Sequence, residues 1–171
     1  MTWYRIHFFD VTEKQQVPAD LEHAQFHFSS KNDHTGLLLG KLLHYFSDQY
    51  DLSALLGLLD YADDLDYKTL NQHAQMFGAE QQQQLIMQTD TLLSAIGEMD
   101  LEDLEAICED EISEKQLHSW LNDSAQPLDS EDIDKDADDL YSLLQVLNYF
   151  RQMLEDARQK QHYVIYRSFC Q

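Results

Sequence analysis

Residues 99–139 hold sixteen acidic side chains against two basic ones, a net −14 of the chain's −21 in about a quarter of its length. A carboxylate resists leaving water unless cations or hydrogen-bond donors receive it, so a segment this charged cannot supply a core. It must lie on a surface, held there by its few apolar residues. The acids fall in two clusters, Asp100–Glu114 (DLEDLEAICEDEISE) and Asp129–Asp139 (DSEDIDKDADD). Residues 1–50 carry six acids against four bases, 51–98 carry eight against one, and 140–171 reverse the balance at two against four. Acidity serving solubility in high salt would be spread along the chain. This acidity is local.

The rest of the chain can build a core. Apolar residues make up 43% and 26 of the 171 residues are Leu, too many for a disordered acidic polymer. A length of 171 residues fits a single domain. The charge excludes the chain, acting alone, as a general nucleic-acid or anionic-membrane binder, because both need cations. The start, MTWYRIHFFDVTEK, lacks the basic and apolar blocks of a secretory signal. The run Leu37–Phe46 is broken by Gly40, Lys41 and His44, so no membrane span is expected. Cys108 and Cys170 fit neither a metal spacing nor a disulfide framework, and reduced thiols in the cytoplasm are the expected state.

The expected fold is α+β and mainly α: about six to seven helices between residues 34 and 160, with an antiparallel sheet of about three strands. Aromatic and β-branched residues place a strand near 2–9, and alternation of apolar and polar residues places two more near 23–29 and 162–169, so the two ends of the chain are expected to meet. Asp10–Glu22, with Pro18, is too long for a tight turn and connects the first two. Helical stripes follow: Leu37, Leu38, Leu39, Leu42, Leu43, Tyr45 and Phe46 after an Asn32-Asp33 cap; Leu52, Leu55, Leu56 and Leu59 after Asp51; Leu85, Leu92, Leu93 and Ile96, stopped by Gly97. Asp66 opens a short helix through Tyr67, Leu70, Ala74 and Phe77, with Gly78 just past its end. Gly40 and Gly57 inside their helices are expected to mark close packing. Asp100 precedes Leu101, Leu104, Ile107 and Cys108, an apolar edge on an otherwise acidic helix. Ser113 and Gln116 form a capping box, stapled by Ile112 and Leu117. From Ser130 one stripe, Ile133, Ala137, Leu140, Leu144, Leu147, Phe150, Leu154 and Ala157, predicts a helix of about thirty residues with acids in its first turns.

No local pattern carries catalysis. Asp132, Asp134, Asp136 and Asp138 alternate as in a calcium loop, but Ala137 and Leu143 stand where such a loop needs Gly and Glu. His23 and His27 are four apart, yet Ala24 replaces the catalytic Glu of a zinc helix and the segment reads as strand. The five glycines are scattered singly and form no phosphate loop. Cys108 sits among Glu105, Glu109 and Asp110, whose field raises its pKa and suppresses its reactivity. No catalytic residue, metal or cofactor is therefore expected.

The acidic clusters do carry a physical argument. Duplex DNA presents one charge per about 3.4 Å on each strand. Acids four apart on a helix recur every ~6 Å, and a second row roughly doubles that density. Like charges at that spacing repel by a few tenths of a kcal/mol per pair, so a fold carrying many gives up stability. Solubility and helix-dipole compensation would need fewer. The leading expectation is a non-catalytic, cytoplasmic, immunity-type or inhibitor protein that mimics nucleic acid and covers the cationic cleft of a basic toxin or nuclease. Its docking residues would be Asp100, Glu102, Asp103, Glu105, Glu109, Asp110 and Glu111 of the first cluster. Asp129, Glu131, Asp132, Asp134, Asp136, Asp138 and Asp139 would join them from the second. Trp120 or Tyr141 would be aromatic anchors, although Trp120 also shares a core face with Leu117 and Leu121. The alternatives are a small acidic secretion chaperone or adaptor holding an amphipathic segment in an apolar groove, and an enzyme whose site is assembled from distant residues.

Overall fold

Aromatic and β-branched side chains at Ile6, Phe8, Phe9 and Val11 suit a pleated, half-buried surface, and Tyr4–Thr12 forms strand β1. It pairs antiparallel with β2 (Phe26–Lys31), setting Phe9 opposite Phe26. Its other edge pairs antiparallel with β4 (Tyr163–Cys170), setting Phe9 opposite Tyr166. The two ends of the chain therefore meet, as the alternation predicts. The computed structural model describes residues 4–15, 24–31, 38–60, 75–133 and 139–170. Among them are six α-helices and a four-stranded sheet, an α+β architecture that is mainly α.

The fourth strand corrects the expectation of three. Gln75–Phe77, expected as the end of a helix opened by Asp66, is β3, paired with β4 in the order β2-β1-β4-β3. Residues 61–74 lie outside the described residues. Ala74 and Phe77 have helical spacing, but pairing with β4 and stacking of Phe77 on Tyr166 (centroids 6.4 Å apart) decide the outcome. Gly78 is accordingly the N-cap of the following helix rather than the end of a preceding one, its N–H donating to Gln81 Oε1 at 3.1 Å.

The helices stack on the sheet face that carries Phe9 and Tyr166. They are α1 (Leu38–Phe46), α2 (Ser53–Asp60), α3 (Ala79–Glu98), α4 (Leu101–Cys108), α5 (Glu114–Ser124) and α6 (Leu140–Gln159). Phe9 is the hub: its ring lies 5.0 Å from that of Tyr166 and 5.1 Å from that of Phe150 on α6. Buried apolar residues from every helix and strand join one cluster. The staple residues Ile112 and Leu117 are both within it. Among the described residues, no helix is long and apolar enough to cross a membrane.

The long final helix begins later than the apolar stripe implies. Ser130–Asp132 form a single 3-10 turn, Ile133 is extended and buried, and α6 starts at Leu140, capped by Asp139. The stripe alone could not separate Ile133, which anchors as an isolated residue, from the helix after it. The helix ends in a reversing turn: Gln161 takes φ 59°, Gln161 N–H donates to Arg158 O at 3.2 Å, and His162 N–H donates to Ala157 O at 2.8 Å. Two glycines also depart from expectation. Gly57 has nothing within 4 Å of where a Cβ would stand, so close packing does not explain it. Gly97 does not stop α3, which runs to Glu98; a Cβ there would meet Leu121 Cδ1 at 3.3 Å, and its absence lets α5 approach.

Buried polar side chains join elements remote in sequence. Gln88 Oε1, on α3, accepts N–H bonds from Ala54 (2.8 Å) and Leu55 (3.2 Å), capping α2 from outside. Gln82 Nε2 donates to Phe77 O (2.9 Å) and His162 O (2.8 Å), tying β3 to the entrance of β4. Tyr166 Oη donates to Leu58 O at 3.0 Å and accepts from His7 Nδ1 at 2.9 Å. Replacing Gln88 with Leu deprives the buried Leu55 N–H and the half-buried Ala54 N–H of their acceptor and is expected to cost about 1–3 kcal/mol in urea denaturation, against little for Gln84→Leu on the exposed side of the same helix. Gln161→Gly relieves a left-handed backbone position and should raise stability by about 0.5–1 kcal/mol in the same assay.

Candidate protein-docking surface

The first acidic cluster is a short helix on a buried pin. Leu104 is fully buried and holds α4 against the core, while Glu102, Asp103, Glu109, Asp110 and Glu111 are exposed and Glu105 is half-buried. Asp100 caps the helix, its Oδ1 accepting from Glu102 N–H at 2.8 Å. Asp103 accepts a hydrogen bond from Tyr45 Oη at 2.6 Å, which fastens α4 to α1 and, with the charge of Asp100 adding to it, raises the Tyr45 pKa. Glu109 adopts φ 55° and reverses the chain; Asp110 N–H donates back to Glu105 O at 3.3 Å. That turn carries Asp110 away from the α4 axis, and its Oδ1 accepts from Glu111 N–H at 2.9 Å.

In its described part, the second cluster is not the acidic helix start expected from its spacing. Asp129 Oδ1 accepts from Glu131 N–H at 3.3 Å, and Glu131 and Asp132 are exposed on the 3-10 turn. Asp134, Asp136 and Asp138 lie outside the described residues. Asp139 is exposed and caps α6, its Oδ1 accepting from Ser142 N–H at 2.8 Å. Charge repeating at helical density along 129–139 is therefore absent from the described part of that segment. Asp100, Asp110, Asp129 and Asp139 act alike, each placing a short carboxylate on a backbone N–H that its turn leaves open. The glutamates between them cap nothing.

The structure brings the ends of the two clusters together. Asp110 and Asp139 line one cleft of about 320 Å³ with Cys108, Trp120 and Tyr141, floored by the buried Ile112 and Leu140. The Trp120 and Tyr141 rings lie 6.0 Å apart, tilted by 46°. Trp120 is half-buried against the core, as its shared face with Leu117 and Leu121 implies, and Tyr141 is exposed. A second, more open recess is lined by Glu98, Asp100, Glu102 and Glu114 together with His118. Asp129, Glu131 and Asp132 line neither.

Among the described residues, no Lys or Arg forms an ion pair with this surface. Among the described residues, the one ion pair made by an acid of 98–139 is Glu114–His118 at 3.8 Å, which carries charge only when the imidazole is protonated. Arg151 instead pairs with Asp90 and with Glu155 (2.7 Å), and Lys160 with Asp156 (3.0 Å), all on α3 and α6. No group of three His, Cys, Asp or Glu among the described residues could hold a metal ion.

Cys108 is a free thiol at the edge of the cleft. Burial first, and then the charge of Asp110, push its pKa up to about 11, against a weaker opposing influence of Lys41. Site-resolved alkylation of Cys108 should thus remain slow at pH 8 and accelerate as pH climbs toward 11. The unfolded thiol ionises first, so this group withdraws stability as pH rises from about 9 to about 11, and Cys108→Ala should make alkaline unfolding shallower over that window.

Compared with protein-family models, with curated proteins and with solved structures, the chain matches none.

Proposed function

We propose that this chain is a cytoplasmic, non-catalytic binding protein whose acidic face docks a basic protein, in the manner of an immunity-type inhibitor covering the cationic cleft of a toxin or nuclease. The observation that carries the reading is the set of exposed carboxylates at Glu102, Glu109, Asp110, Glu111, Glu131 and Asp132, none of which pairs with a Lys or Arg among the described residues. Such a field accelerates the encounter with a cationic surface by orders of magnitude at low salt and rejects anionic partners. An adaptor holding an apolar segment would instead need a contiguous greasy groove. Of the five large exposed apolar side chains among the described residues, Tyr45 and Tyr50 both pack on Phe46, while Met76, Met87 and Tyr141 lie apart on β3, α3 and α6.

The test uses residues that cap nothing. Glu102→Lys, Glu111→Lys, Glu131→Lys and Asp132→Lys combined should leave the helical circular dichroism intact. The native chain, immobilised in extract from its own cells, should retain a basic protein at low salt and release it at high salt, with an association rate that falls steeply as salt is added. The quadruple variant should retain none of it. Equal retention by native chain and variant overturns the reading.

A further inference from the structure

The cleft between the two acidic clusters differs from the rest of that face because it sets aromatic rings beside carboxylates. We infer that it receives an arginine side chain of the basic partner, with the guanidinium against Trp120 and Tyr141 and its N–H groups shared between Asp110 and Asp139. This rests on the docking reading above and names the residue that such a partner must present.

Four features converge on that side chain. The carboxylates are pre-oriented: one oxygen of Asp110 is engaged by Glu111 N–H at 2.9 Å and one of Asp139 by Ser142 N–H at 2.8 Å, which leaves the second oxygen of each to accept. Neither makes an ion pair with a cation of the chain among the described residues. The volume, about 320 Å³, equals on the order of ten waters at ~30 Å³ each, room for a long side chain together with some solvent. Ile112 and Leu140 provide buried apolar surface for the methylene stem.

Arginine fits better than lysine for a physical reason. The guanidinium is planar, weakly hydrated and presents several N–H groups in one plane, so it can lie on an aromatic face and still reach two acceptors. An ammonium keeps its water more tightly and gains less from the rings. Elsewhere on the acidic face only charge is read, and there the two cations are equivalent.

That contrast supplies the test. Oligo-arginine and oligo-lysine peptides of equal length are titrated at low salt into the protein carrying Trp3→Phe, so that Trp120 is the one remaining indole. The arginine peptide should bind about five- to tenfold more tightly and shift the Trp120 emission, while the lysine peptide binds without that shift. Asp110→Asn with Asp139→Asn keeps the α6 cap, since Asn caps as well as Asp, and should erase the preference while leaving residual binding of both peptides. Tyr141→Leu, at an exposed position, should reduce the preference and the emission shift. Equal binding of the two peptides overturns the arginine site and leaves the docking face standing. Preference that survives both sets of substitutions also overturns it. Binding of neither peptide overturns the arginine site and counts against the docking face as well.

Discussion

Pairing of β1 with β4 joins residues more than 150 positions apart, from Arg5 opposite Cys170 to Thr12 opposite Tyr163. Closing so long a loop costs less than its length implies, because the entropic term grows only logarithmically. The pairing is held where Phe9, Tyr166 and Phe150 converge, and where Tyr166 links His7 on β1 to the end region of α2. Once β4 is placed, α6 is placed too, because the reversing turn at Gln161 joins them without slack. Twenty residues of helix then carry the chain about 30 Å from that turn to Asp139 and Tyr141. The position of the acidic cleft thus depends on strand pairing at the opposite end of the molecule.

The division of charge follows from the same arrangement. On α6, Arg151 is held by Asp90 and Glu155, and its pKa rises further as a result. Lys160 is taken by Asp156, one turn away on the same helix. The Arg151–Asp90 pair braces α6 against α3, while the other two lie along α6 and its C-cap. Exposed pairs of this kind add little stability individually. They commit Arg151 and Lys160 to carboxylates outside the two acidic clusters.

Part of that face has a plain structural cause. Asp100, Asp110, Asp129 and Asp139 each satisfy a backbone N–H at a chain reversal or a helix start. The Ser113 cap with its Ile112–Leu117 staple was readable from the sequence, because every participant lies within five residues. The start of α6 was not. Ile133 falls on the apolar stripe and is buried, yet it is extended, and nothing within its own segment distinguishes it from a helical residue. The missed strand β3 has the same origin, since three residues next to a helix have too little local preference to declare themselves. Cys108, unreactive by its acidic neighbours alone, turned out to be governed more by burial, which depends on how α4 packs.

By itself the sequence determined the α+β class, the strands at the two ends of the chain, the apolar stripe of each major helix and the confinement of negative charge to one stretch. All of these arise from side-chain type and spacing over a few residues, where alternation, helical period and capping act directly. Tertiary structure alone decided that Gln75–Phe77 is a strand and that Gln88 caps a helix more than 30 residues away. It also decided that Asp110 and Asp139 flank one aromatic-lined cleft. Those outcomes depend on partners brought together by burying the common core, and no local pattern encodes where a distant surface will stand once that core has closed.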